Sequence, residues 1–224
     1  MSEKVKILVS SCEYGNYAFS GHVDETVHVG DYEIRNGTHT DDRSIVPKKS
    51  MHPRMYGKIN KMMNWVLYPD YDYYVWRDSR IFFKSHSHVV DFVSSLKKDV
   101  GFFKHRFSDS IEDEIRHVVE KKDSDYIKTR YSIDVMKSQV DFYLSDNIDQ
   151  KDHFEGGLFV FSKNLISNSS NNLMRHWLSE TMMWAENDQI SLPYSIFKTD
   201  TDCQVFEGSV LNNKWTSNNY KGYK

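Results

Sequence analysis

Cysteine is nearly absent from this 224-residue chain, with Cys12 and Cys203 its two thiols. Two thiols so far apart make neither a disulfide framework nor a zinc pattern, and a reducing compartment is the natural reading. Four prolines and ten glycines mark no interdomain linker, so the chain reads as one domain over 1–224. No apolar run approaches membrane-spanning length. The start, Met-Ser-Glu-Lys-Val, passes into a strand without a leader pattern, and a cytoplasmic protein is expected. An excess of one charge is missing too: 29 Lys and Arg face 32 Asp and Glu, for a net charge of −3. No global field draws nucleic acid. There are no internal repeats, heptads or low-complexity tracts.

Aromatic residues are plentiful, with 14 Tyr, 13 Phe and 5 Trp. They serve cores and interfaces first, and they also suit stacking on sugars. Basic residues gather locally at Lys48-Lys49, at Arg54/Lys58/Lys61 and at Lys104-His105-Arg106. Such small clusters fit phosphate groups on a small ligand better than a long duplex.

The pattern of elements is alternating. Val5 to Ser11 is a strand, followed by a Gly/Asn turn at Glu13 to Tyr17. His22 to Glu33 suggests a short strand pair, and Arg35 to Lys49 a polar mobile loop. Met51 to Leu67 is a predicted helix opened by Pro53. Its wheel gives a core face of Met55, Ile59, Met62, Met63 and Val66 and a basic stripe of Arg54, Lys58 and Lys61. Further helices are predicted at Ser85 to Lys98, Ser110 to Lys122, Thr129 to Leu144 and Asn171 to Glu186. Strands are predicted at Val100 to Lys104 and Leu158 to Phe161, with Leu192 to Phe197 a short unassigned piece. The tail from about 205 to 224 is polar, and either frays or folds over the acceptor of a reaction. The alternation predicts a mostly parallel α/β sheet with helices on both faces.

The densest passage is Tyr71-Asp-Tyr-Tyr-Val-Trp-Arg-Asp78-Ser-Arg80, a buried strand ending in a carboxylate between two arginines. Ligands of open α/β sheets sit beyond the carboxyl ends of strands. Cations beside a carboxylate there suit a phosphate ester bound with a divalent metal. Later in the chain come His105-Arg106, the acidic run Glu112-Asp-Glu114, Gln139-Val-Asp-Phe-Tyr143, Glu155-Gly-Gly157 before an apolar strand, and Asp188-Gln-Ile-Ser191 after Trp177 to Trp184.

In order and spacing this series resembles the nucleotide-sugar core of GT-A fold glycosyltransferases. It is most similar to the group containing plant mucilage-related and bacterial enzymes, and more distantly to chlorovirus enzymes that glycosylate capsid glycans. The resemblance runs from about Pro47 to about Phe197, with a first nucleotide-binding strand at Val5 to Ser10. It implies a single-domain, Rossmann-like GT-A fold. It also implies transfer of a sugar from a nucleotide diphosphate donor, a uridine one first, to a hydroxyl acceptor on a glycan. Ser10, Tyr14, Arg54, Lys58, Asp78, Ser79 and Arg80 would hold the donor, and Asp78 the Mn²⁺ or Mg²⁺. His105, Arg106 and Gln189 would hold substrate. Asp188 or Glu155 would take the acceptor's proton, with the Glu112 to Glu114 run next in line. The turn departs from the family at Arg80, which stands where a second acid or amide is usual. A guanidinium there could replace part of the metal's work.

Each residue also has a plainer reading. Asp78 could bond backbone N–H groups, the stripe could be a solvated helix face, and Glu155 could sit in a tight turn. Asp188 could cap a helix. His105-Arg106 could form surface ion pairs with Glu112 or Glu114. Trp177 and Trp184 are read as packing, and His86 and His88 as a helix start rather than a metal pair. Two other functions are carried alongside: sugar transfer to hydroxylated bases of phage DNA, and a catalytically silent nucleotide- or glycan-binding domain.

Overall fold

The computed structural model describes residues 3–13, 24–40, 53–148, 152–167, 172–184 and 187–218. The strands are β1 (Val5–Glu13), β2 (Glu25–Val29), β3 (Tyr32–Thr40), β4 (Tyr73–Arg77), β5 (Ile81–Phe83), β6 (Val100–Lys104), β7 (Phe154–Ser162), β8 (Cys203–Phe206) and β9 (Thr216–Asn218). The helices are α1 (Pro53–Leu67), α2 (His86–Ser94), α3 (Ile111–Glu120), α4 (Asp125–Lys128), α5 (Ile133–Ser145), α6 (Lys163–Ser167), α7 (Leu173–Met183) and α8 (Asp188–Thr199).

A seven-stranded sheet runs in the order β2-β3-β1-β4-β7-β6-β8. The ladders set β1, β3, β4, β6 and β8 in one direction, with β2 and β7 reversed. This is the mostly parallel, Rossmann-like α/β arrangement expected. β1 lies between β3 and β4, so the chain reverses its order of winding there, the position at which open α/β sheets place ligands, beyond the carboxyl ends of β1 and β4.

Both faces of the sheet are covered, which explains the near-continuous apolar runs in β1, β4 and β7. One face buries Ile7, Val9, Val75, Val160 and Phe103 against Val89, Phe92 and Val93 of α2, with Phe206 and Trp215. The other buries Leu8, Tyr74, Trp76, Phe159 and Phe161 against Met62, Leu173, Met174 and Trp177. A third cluster, Ile111, Val118, Met136, Val140, Tyr143, Ile190 and Tyr194, joins α3, α5 and α8. Among the described residues no helix is long and apolar enough to cross a membrane.

Several expectations change. Residues 35–40 continue β3 alongside β1 instead of opening a loop; the rest of that loop, with Lys48 and Lys49, lies outside the described residues, as does Tyr14. The strand at Leu158 begins four residues earlier, so Glu155-Gly-Gly157 lies inside β7 and not in a turn. Residues 192–197 belong to α8, which carries Pro193 inside it. The tail is built into the fold to residue 218: Trp215 is buried, and β9 pairs antiparallel with β5.

The face assignment on α1 also needs correcting. Val66 is 48% exposed, whereas Tyr56, Ile59, Asn60, Lys61, Met62 and Asn64 are buried. The helix leaves helical geometry at Met63 (φ −125°, ψ 19°), which turns its last residues away from the sheet. It also packs on β1 and on α7, so Lys61 of the basic stripe is buried and Lys58 half-buried rather than part of a solvated face.

Candidate active site

Alternation along β4 sends Tyr74 and Trp76 to the α1/α7 side and Val75 to the other. Arg77 follows Val75: it is buried, donates through Nη1 to the Ile81 carbonyl at 3.0 Å, and covers the Phe82 ring. It is therefore a fold residue, and only one of the two arginines flanking Asp78 stands at the crevice turn. Asp78 follows the Trp76 side. Trp76 Nε1 donates to Asp78 Oδ1 at 3.1 Å, the Asp78 backbone N–H donates to the Gly157 carbonyl at 2.7 Å, and the Asp78 carbonyl accepts from the Ile81 N–H at 2.9 Å. These bonds shape the turn that carries Ser79 and Arg80. Asp78 keeps contact with solvent as a residue, while its carboxyl is partly desolvated by the protein around it. That desolvation raises its carboxyl pKa against the pull of Lys61, the Trp76 N–H and Lys58.

The cations come from α1. Lys58 and Lys61, one helical turn apart, both donate to Asp188: Lys58 Nζ to Oδ1, and Lys61 Nζ to Oδ2 at 2.5 Å. Asp188 and Lys61 are 4% and 5% exposed. Burial pushes the Asp188 carboxyl up, but the two ammonium groups outweigh it and hold it well below the usual carboxylate range. Burial also lowers the Lys58 pKa, against the raising effect of Asp188. Asp188 is not the helix cap: Asn187 accepts from the Gln189 N–H at 3.0 Å. It is fixed from behind, where Trp177 Nε1 donates to its carbonyl at 2.7 Å.

The glycine pair of β7 explains how these groups fit. A Cβ on Gly156 would lie 2.7 Å from Lys61 Nζ and 3.4 Å from Asp188 Oδ2. One on Gly157 would lie 3.1 Å from Asp78 Oδ2. Each glycine keeps space for one charged group. Glu155 is engaged elsewhere: Oε2 accepts from the Val210 N–H at 2.7 Å and Oε1 pairs with Arg106 Nε at 3.2 Å. Its pKa is nevertheless raised, first by burial.

The remaining named residues separate. Ser10 is internal: its hydroxyl donates to the Val75 carbonyl and accepts from Asn64 at 2.7 Å. Arg54 donates to the Arg130 carbonyl at 3.0 Å and covers the Tyr131 ring. Gln189 stands on the first turn of α8. Cys12 stands one residue before the end of β1, next to Gly57; burial, then Asp78, push its thiol up to about 12, so it is no nucleophile. His105 and Arg106 lie just past β6, and their partners are Glu114 and Glu155.

A second cluster sits beside the first. Nε2 of His105 and Nε2 of His153 each lie 3.8 Å from Glu114 Oε2. The three ligand atoms fall within 4.8 Å of one another, the one group of this kind among the described residues, and could hold a metal ion. His105 Nδ1 accepts from the Ser108 N–H at 3.0 Å, so a neutral ring carries its proton on Nε2, towards Glu114, and that nitrogen offers a metal no lone pair while this bond holds. Glu114 also accepts from Ser108 Oγ and from Asn187 Nδ2 at 3.3 Å, which ties the cluster to the residue before Asp188.

Sequence reasoning placed Lys61 in the stripe but not in the site, and did not assign Trp76 or Asn187 to it. The spacing of Lys58 and Lys61 was the available signal; their shared aspartate, 127 residues from Lys61, was not.

The Rossmann-like sheet thus carries, at its switch point, two aspartates, the buried Lys61 beside the half-buried Lys58, and two glycines. Residues 45–216 match the family model "TOD1/MUCI70, glycosyltransferase-like domain", and the chain belongs to that family. No curated protein matches the chain.

Proposed function

We propose that the protein transfers a sugar from a nucleotide diphosphate donor, a uridine one first, to a hydroxyl of a glycan acceptor. The observation that carries this reading is the cluster of Asp78, Lys58, Lys61 and Asp188 at the switch point. The diphosphate lies against the lysines, with Asp78 towards a divalent cation. Charge supports a cation: the two lysines and two aspartates cancel, so a doubly charged donor arrives in neutral surroundings and is best matched by a divalent ion. The residues fit one, because Asp78 Oδ2 faces the gap left by Gly157 and such ions take one or two carboxylates besides phosphate oxygens. When bound, the cation neutralises charge on the leaving diphosphate. Asp188 takes the acceptor's proton; Glu155, tied to Arg106 and Val210, holds the C-terminal segment across the sheet. His105, Arg106 and Gln189 border the acceptor side. A nucleic-acid acceptor draws no support from the net charge, and a silent binding domain would bind donor without turnover.

UDP with Mn²⁺ is expected to raise the melting temperature. A hundredfold excess over Kd contributes about 2.7 kcal/mol, and a chain this size gains about 2–4 °C per kcal/mol. An unmoved melting curve with every common nucleoside diphosphate would remove the donor site.

Gly156→Ala is expected to cut transfer while leaving melting within a few degrees. The added methyl meets the far end of Lys61, which can move at small cost, but moving it takes the ammonium off Asp188. Comparing transfer rate with melting checks this, and unchanged transfer would show that the position of Lys61 is immaterial.

A further inference from the structure

The Lys58–Asp188–Lys61 arrangement is closed on itself. Both carboxylate oxygens are occupied, one by each ammonium, and both Asp188 and Lys61 are sealed from solvent. Trp177 lies below, with Lys61 Nζ 5.3 Å from its ring centroid. A carboxylate in this state is a poor proton acceptor, since taking a proton would break two buried ion pairs. The same lysines act on Asp78 across the site, beside the expected place of the diphosphate. One pair of lysines cannot fully serve both anions.

We propose that Asp188 stands in for the donor phosphate in the free protein, and that the nucleotide diphosphate releases it by drawing Lys58 and Lys61 away. Donor binding and proton acceptance are thereby ordered: Asp188 becomes a base only when the donor is present. In the transfer step the acceptor oxygen bonds to the anomeric carbon and the bond from that carbon to the diphosphate oxygen breaks. The acceptor's proton passes to Asp188, and the bonding electrons leave with the diphosphate. The gate rests on the donor-site reading above and adds that Asp188 competes with the donor for the lysines.

The competition gives an effect opposite to that of an ordinary binding residue. Asp188→Asn is expected to bind UDP with Mg²⁺ about tenfold more tightly than the wild type, the usual scale of coupling between two ligands of one element. The gain is expected to vanish in a Lys58→Gln/Lys61→Gln background, where nothing is left to compete for. Unchanged or weaker binding by Asp188→Asn overturns the gate. A gain that persists without the lysines also overturns it, since removal of a negative charge would then act through the general field. Should the variant fail to fold, the wild type still decides. UDP with Mg²⁺ must shift the ¹⁵Nζ resonances of both lysines and the ¹³Cγ resonance of Asp188, and a fixed Asp188 resonance rejects the release. If the wild type does not bind UDP, donor site and gate fall together; binding without competition removes the gate alone.

Discussion

Asp78→Asn is expected to leave the protein folded and to lower sugar transfer by about 10²–10³-fold, the scale for loss of one well-placed charge stabiliser. The amide keeps the shape of the side chain and can still accept from Trp76 Nε1. It removes the charge that a divalent cation would use, so donor affinity should no longer respond to Mn²⁺. Stability should stay level or rise, because crowding raises the Asp78 pKa and so penalises its ionised form. Melting curves and transfer rates, each with Mn²⁺ and with EDTA, make the comparison. Full transfer by the variant would show that the carboxylate is no ligand, leaving the lysines and Arg80 to carry the diphosphate.

That Asp78 was legible in the sequence has a physical reason. A hydrophobic strand, its polar end and the turn after it are consecutive in the chain, and local patterning shows all three. The same holds for the β2–β3 hairpin, for β6 and for α3, whose Ser110 cap accepts from Asp113 as a cap should. Long-range choices were less visible. Val66 fits the apolar stripe of α1, but the break at Met63 turns it outward; Lys61 fits a solvated stripe, but α7 and α8 close over it. Glu155 next to two glycines could sit in a turn, until its pairing with Phe103 of β6 makes it part of a strand. The tail's polar composition hid its anchors, Trp215 in the core and β9 on β5. In each case the deciding partner lies far away in the sequence, where periodicity carries no information.

Trp177 was read as packing, and it does pack, yet its position gives it the other large effect. Trp177→Ala is expected to cost about 3–5 kcal/mol, a third or more of a typical domain's stability. The side chain is 0% exposed and meets Phe102 edge-on and Phe159 at 5.5 Å between ring centroids. The cavity would open under Lys61 and α8 at once. Trp177→Phe separates packing from positioning. It keeps most of the apolar contact and removes the indole N–H, leaving the buried Asp188 carbonyl without that donor at a cost of about 1–3 kcal/mol. Since that bond fixes Asp188 from behind, transfer by Trp177→Phe is expected to fall further than its melting temperature would suggest, with UDP affinity nearly kept. Urea unfolding of both variants, with single-turnover transfer for the phenylalanine one, tests the division. If Trp177→Phe transfers sugar at the wild-type rate, the indole N–H does not position Asp188, and Trp177 is a core residue alone.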